Sequence, residues 1–268
     1  MPDLKTFHPS QHGFRFPNRF AYTDVADALP LDSLEVKVPP LSGSYGLCGG
    51  MSAAVADYYA SGHPIPPIAD IPKPGESLYR YLVKRQRHTL GKTGKPLARF
   101  LAWMRLSDIG LQVLTVKELD GVLNKLNRGK FAVLGLVHVG KGGKPWDNHQ
   151  VLAYDYEQKK ADTLRIKVYE PNAPLADDAY IEVTRTQVKL TKDRLAELRS
   201  VSVLPASLRT MLLRIPAFFP DFLLPTIEAV TCHKHRGNAM PVRGFFQMPY
   251  TPQVPPLISD GQDRINPA

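Results

Sequence analysis

Cys48 stands in the run Tyr45-Gly46-Leu47-Cys48-Gly49-Gly50-Met51, directly ahead of residues whose apolar spacing is helical. A thiol at a helix N-terminus feels the positive end of the macrodipole, which favours the thiolate and therefore nucleophilic attack. Downstream, Asn148-His149 opens a strand-like run, and Tyr169-Glu170-Pro171-Asn172 closes the next one. A thiolate, an imidazole to move protons, and a carboxylate or amide to hold the imidazole in one tautomer are what nucleophilic acyl transfer requires. Cys48 is the candidate nucleophile and His149 the candidate base and acid. Glu170 or Asn172 is the candidate orienting group. Glu170 is favoured because Pro171 disturbs the strand geometry that would bring Asn172 to the same side. Gly49 and Gly50 place no side chain in the path of an approaching carbonyl. The Cys48 backbone N–H, at the helix mouth, can donate to an oxyanion.

These residues need elements to hold them. Met51, Ala54, Val55, Tyr58 and Tyr59 form a helical stripe ended by Gly62 and Pro64, which predicts a helix over about 49–60. Leu78, Tyr81, Leu82 and Arg85 predict a second helix. Pro96 suits the first position of a third, with Leu97, Phe100, Leu101 and Met104 as its apolar face. Thr115 and Glu118 have capping-box spacing ahead of a fourth that carries Leu119, Val122, Leu123 and Leu126 and stops at Gly129. Strand-like runs follow at 131–137, 150–154, 164–169 and 180–183, with a last candidate at 242–246. Residues 204–224 are apolar but broken by Pro205, Pro216 and Pro220, and read as broken helix or loop. Helices first and strands afterwards predict a segregated α+β architecture. Its parts are an irregular segment over 1–40, a domain over 41–250, and a proline-rich, disordered tail over 251–268.

Composition narrows the class further. The 268 residues carry 43% hydrophobic and 22% charged side chains, as in an ordinary globular protein able to bury a sizeable core. Two cysteines cannot make a disulfide framework, and a Cys48–Cys232 bridge would mask the nucleophile. With no signal-like N-terminus and no run of membrane-spanning length, the expected compartment is the cytoplasm, and secretion by a route that reads no cleavable signal stays open. The net charge is +9, and Arg80, Lys84, Arg85, Arg87, Lys92, Lys95 and Arg99 crowd into 80–99. That run reads first as a solvated helix face and second as a surface for an acidic partner. It lacks the interleaved aromatics that nucleic-acid stacking needs, apart from Tyr79 and Tyr81 at its start. No membrane partner is expected.

Together, the motifs around Cys48, His149-Gln150-Val151-Leu152-Ala153-Tyr154 and Tyr169-Glu170-Pro171-Asn172 resemble the papain-like cysteine peptidase superfamily. The similarity is closer to bacterial branches such as the double-glycine leader peptidases, in which an acidic residue followed by proline orients the histidine. The resemblance spans about residues 40–250. It implies a nucleophile at a helix N-terminus packed on a C-terminal antiparallel sheet, a thioester intermediate, a peptide or protein substrate, and no cofactor or metal. Deamidation or transglutaminase-type acyl transfer would use the same residues, and a catalytically weak binding module on the same fold is the other class. Family members often carry a glutamine six residues before the nucleophile as an oxyanion donor; here that position is Ser42. Ser42, Ser44 or a nearby backbone N–H is the expected substitute, with Gly49 and Asn148 in support. Weaker candidates are Cys232-His233-Lys234-His235, which reads as a polar loop before a metal site, and Trp146 beside the histidine. Asp57 is expected on an exposed face of the first helix.

Overall fold

A computed structural model describes residues 3–21, 44–90, 95–140, 143, 147–189, 196, 223–234 and 238–258. A 3₁₀ turn (Leu4–Thr6), α1 (Pro9–His12) and a small strand pair, β1 (Phe20–Ala21) with β2 (Ser44–Tyr45), lead to the helices. These are α2 (Cys48–Ser61), α3 (Ser77–Leu90), α4 (Lys95–Met104) and α5 (Asp108–Asn127). The strands follow: β3 (Ala132–Val137), β4 (His149–Gln158), β5 (Thr163–Tyr169), β6 (Tyr180–Lys189), β7 (Leu223–His233), β8 (Ala239–Pro241) and β9 (Gly244–Gln247). They make one antiparallel sheet in the order β8-β7-β6-β5-β4-β3-β9, so the chain is α+β.

The sheet separates two cores. Val133, Val137, Leu152 and Tyr154 pack with α2, α3 and α4, while Ala132, Leu134, Leu136, Val151 and Ala153 pack with Leu119, Val122 and Leu126 of α5. Alternate side chains of β3 are thus buried on both faces, which explains its unbroken apolar run. α5 touches β7 near one edge of the sheet and β9 at the other, so the sheet curls around it.

Several expectations change. α5 begins at Asp108 rather than near Thr115: Ser107 caps it by accepting the Gly110 N–H at 3.3 Å, and Thr115 is buried in mid-helix. β7 was not expected at all. It carries Cys232 and His233, which are strand residues rather than a polar loop, and His233 stacks on Tyr180 with ring centres 4.4 Å apart. Pro225 lies beyond the reach of β8, where β7 is the edge of the sheet and a missing N–H is tolerated. Asp57 is buried, not exposed, because both sides of α2 are covered. The described start of the 251–268 segment is anchored: Thr251 O accepts from Arg85, the Gln253 N–H donates to Asp57, and Tyr58 donates to Pro256 O. The N-terminal segment, in its described part, contributes Phe7, Phe14, Phe16 and Phe20 to the core. Among the described residues no helix is long and apolar enough to cross a membrane.

Candidate active site

α2 starts at Cys48 because the chain turns at Leu47, whose carbonyl takes the first helical bond from the Met51 N–H at 2.8 Å. First-turn N–H groups find no acceptor within a helix. That of Gly50 is taken by Gln86 Oε1 of α3 at 2.8 Å. Packing requires each of the two glycines after Cys48. A Cβ at Gly50 would overlap the Leu82 carbonyl of α3, and one at Gly49 would overlap Gln150 Oε1 and Thr89 Oγ1. Only hydrogen at these positions lets the helix mouth settle between α3 and β4.

His149 opens β4, and the register of β4 with β5 pairs Leu152 with Tyr169. Continued past the end of β5, that register sets Asn172 opposite His149 and Glu170 one step inward on the same face. The side chains meet accordingly. His149 Nε2 lies 2.6 Å from Glu170 Oε1, and Asn172 Nδ2 lies 3.4 Å from the same nitrogen. The Asn172 backbone N–H donates to Glu170 Oε1 at 2.8 Å, so the turn through Pro171 fixes the carboxylate as well as the amide. Glu170 is therefore the direct partner of the ring, and Asn172 flanks it. Nε2 being occupied, Nδ1 is the nitrogen left for Cys48, which is near enough to help hold the ring in its charged form.

Electrostatics follow from burial and contact. Burial pushes His149 towards the neutral form, but the Glu170 carboxylate and the Cys48 hydrogen bond outweigh it and raise the ring to about 10. Burial likewise works against the Glu170 carboxylate, yet His149, then Lys234 and the Asn172 N–H, hold it below the usual range. The result is a buried imidazolium–carboxylate pair beside a half-buried thiol. Behind it, Cys232 Sγ lies 4.0 Å from Glu170 Oε2, and burial pushes that thiol up to about 12. Both cysteines are free. His138 is held below its ordinary value, chiefly by burial, and its Nδ1 lies 3.1 Å from Pro241 O.

The remaining candidates separate. Asn148 Oδ1 accepts the His138 N–H at 3.0 Å, so this side chain ties the end of β3 to the start of β4. Ser44 pairs with Ala21 in the small sheet just before Cys48. Ser42 and Trp146 lie outside the described residues. The basic run is divided: Arg85 is buried against Asp57, and Arg99 is bonded to Glu118 at 2.6 Å. Among the described residues, no three His, Cys, Asp or Glu side chains group as metal ligands would.

Three contributors had no signal in the sequence. Gln86 and Thr89 sit on α3 at positions that read as ordinary helix. Asn18 belongs to a segment without periodicity. Its N–H donates to Pro171 O at 3.0 Å, its amide donates to Asn172 Oδ1 at 3.3 Å, and its side chain fills the space that a Cβ on Gly46 would need. The contacts thus close a ring from Cys48 through His149, Asn172, Asn18 and Gly46 back towards Cys48. Compared with family models, curated proteins and solved structures, the chain matches none.

Proposed function

We propose that the protein is a cysteine hydrolase of amide or peptide bonds built on a papain-like arrangement. The observation that carries this reading is the His149 imidazole, one nitrogen of which is held 2.6 Å from buried Glu170, with Cys48 at the start of α2 helping to keep the ring charged. The Cys48 thiolate attacks the carbonyl carbon, and charge develops on oxygen at the helix mouth, where first-turn N–H groups and the macrodipole favour it. The C–N bond breaks as His149 delivers its proton to the leaving amine. Water, deprotonated by His149, then splits the thioester and regenerates the thiol. An amine acceptor in place of water, or a glutamine side chain as the amide, turns the same steps into acyl transfer or deamidation.

The test is alkylation by iodoacetamide followed site by site with mass spectrometry. Cys48 should label readily at pH 6, where an ordinary free thiol, with a pKa of about 8.5, is almost wholly protonated. Cys232 should stay unlabelled in the same sample and serves as the internal control. His149→Ala should abolish the labelling at pH 6 while leaving that at pH 9.5. Equal labelling of wild type and His149→Ala at pH 6 would overturn the thiolate–imidazolium pair. Separately, Cys48→Ala should remove all cleavage of a peptide library, and persisting cleavage would refute the nucleophile.

A further inference from the structure

Away from Cys48, a cavity of about 300 Å³ lies between the last turn of α5, the start of β3 and the end of α2. Leu4, Tyr59, Ala60 and Phe131 supply its apolar walls, and Lys125 and Lys130 also line it. Tyr59 is eleven residues along α2 from Cys48, or about 16 Å of helix. Phe131 is five residues along the chain from Leu136, the partner of His149, or about 17 Å of strand. Two independent elements therefore place the cavity away from the thiol.

The walls are fixed before any ligand arrives. Phe7 packs edge-on against Tyr59 and Phe131 with ring centres 5.1 and 5.2 Å away, and Tyr59 and Phe131 meet at 5.7 Å. The Tyr59 hydroxyl is already committed to Asp3 O at 2.6 Å and Thr6 Oγ1 at 2.7 Å. Tyr250, at the rim, gives its hydroxyl to Asp57. The aromatic walls thus act as hydrocarbon, which disfavours sugars and other polyols. The lysines differ. Among the described residues neither forms an ion pair, and Lys125 is half-buried while Lys130 is exposed. Burial draws the Lys125 ammonium below its ordinary value and the Lys130 charge adds to this, while Glu118 opposes them, so an anion beside Lys125 would relieve the cost.

We propose that this cavity binds a medium-chain aliphatic carboxylate, with its hydrocarbon against Tyr59, Phe131 and Leu4 and its headgroup between Lys125 and Lys130. A volume at the lower end of the roughly 300–1,000 Å³ range of small-molecule sites limits the chain to a short one. Two ammonium groups on flexible stems suit a single compact anion better than a planar, bidentate partner.

Titration calorimetry of the full chain with octanoate, octan-1-ol and octyltrimethylammonium tests the assignment. Octanoate should saturate one site, with octan-1-ol at least about tenfold weaker and the cationic amphiphile showing no saturation. Lys125→Met and Lys130→Met should each weaken octanoate about tenfold and leave octan-1-ol unchanged. Ala60→Phe should fill the cavity and remove both. Urea midpoints and Cys48 alkylation, which lie outside the cavity, report whether each variant stays folded. Octanoate that fails to saturate below about a millimolar, that binds no better than octan-1-ol, or that survives Ala60→Phe in a folded protein would overturn the proposal.

Discussion

Two buried carboxylates, Asp57 and Glu170, each face one basic side chain, and the difference between them separates structure from chemistry. Around Asp57 both oxygens are used. Oδ2 takes the Tyr81 hydroxyl at 2.8 Å and lies 2.7 Å from Arg85 Nε, while Oδ1 takes the Gln253 N–H at 2.9 Å and the Tyr250 hydroxyl at 3.2 Å. Arg85 continues to Thr251 O and lies over the Tyr250 ring. A permanently charged guanidinium cannot pass its proton on, so the cluster joins α2, α3 and the segment after β9 without a proton to transfer. Glu170 faces an imidazole whose second nitrogen turns to a thiol. Burial is the largest influence on both carboxyls, yet Asp57 is pushed above its ordinary value while His149 brings Glu170 below. A carboxylate held charged beside a titratable base can orient that base and stabilise its charged form; one tied to arginine and two tyrosines is a clamp.

The largest effect should come from Glu170→Gln. It keeps the shape and one hydrogen bond but removes the charge that stabilises the imidazolium, and loss of the equivalent carboxylate elsewhere costs about 10⁴-fold in turnover. We expect a fall of about 10³–10⁴ in Cys48-dependent amide cleavage in a protein that stays folded, its melting temperature lowered by about a few degrees. A variant that unfolds instead would make Glu170 a clamp like Asp57, and the distinction would collapse.

Much of this contrast lies beyond what the sequence discloses. The thiol, the imidazole and the acid–proline turn were legible because each ends or begins an element with a clear period, and the β4–β5 register then brings the last two together. The helices were legible for the same reason, except the start of α5, where the Thr115–Glu118 spacing imitates a cap inside a helix already under way. Asp57 was misread because polarity suggests exposure, whereas its partners come from Tyr81, Arg85, Tyr250 and Gln253, on α3 and beyond β9. Its neighbours in the chain give no hint of them. Asn18 and Cys232 reach the site in the same way, by tertiary contact without local pattern. β7 was hidden by Pro225, which only its edge position tolerates.

Second in size is Asp57→Ala. It leaves the Arg85 guanidinium buried without its counter-charge, and breaking a buried pair in this way costs about 3–5 kcal/mol. The measurement is the urea midpoint of unfolding. Arg85→Met in the same background should recover part of the loss, since the stranded charge, not the lost contact, is the main cost. Cys48 should still label at pH 6 in whatever fraction remains folded. Loss of labelling in folded Asp57→Ala protein would show that the clamp also positions the site.

The smallest effect is a pH dependence that one pair has and the other lacks. His149 is raised in the folded protein to about 10 from an ordinary 6.5, so its contribution to stability is complete below about 6.5 and is lost as pH rises through 10. Glu170 is lowered, so its contribution is present above its ordinary 4.5 and is lost as pH falls through its folded value. The stability difference between wild type and Glu170→Gln should therefore be greatest near pH 5–6 and shrink by pH 10, moving the relative melting temperature by about a few degrees. Arg85 keeps its charge throughout that range, so the difference between wild type and Asp57→Ala should change little between pH 6 and 10. Parallel pH profiles for the two variants would mean that His149 is neutral in the folded protein, leaving the Cys48 thiol without the cation that activates it.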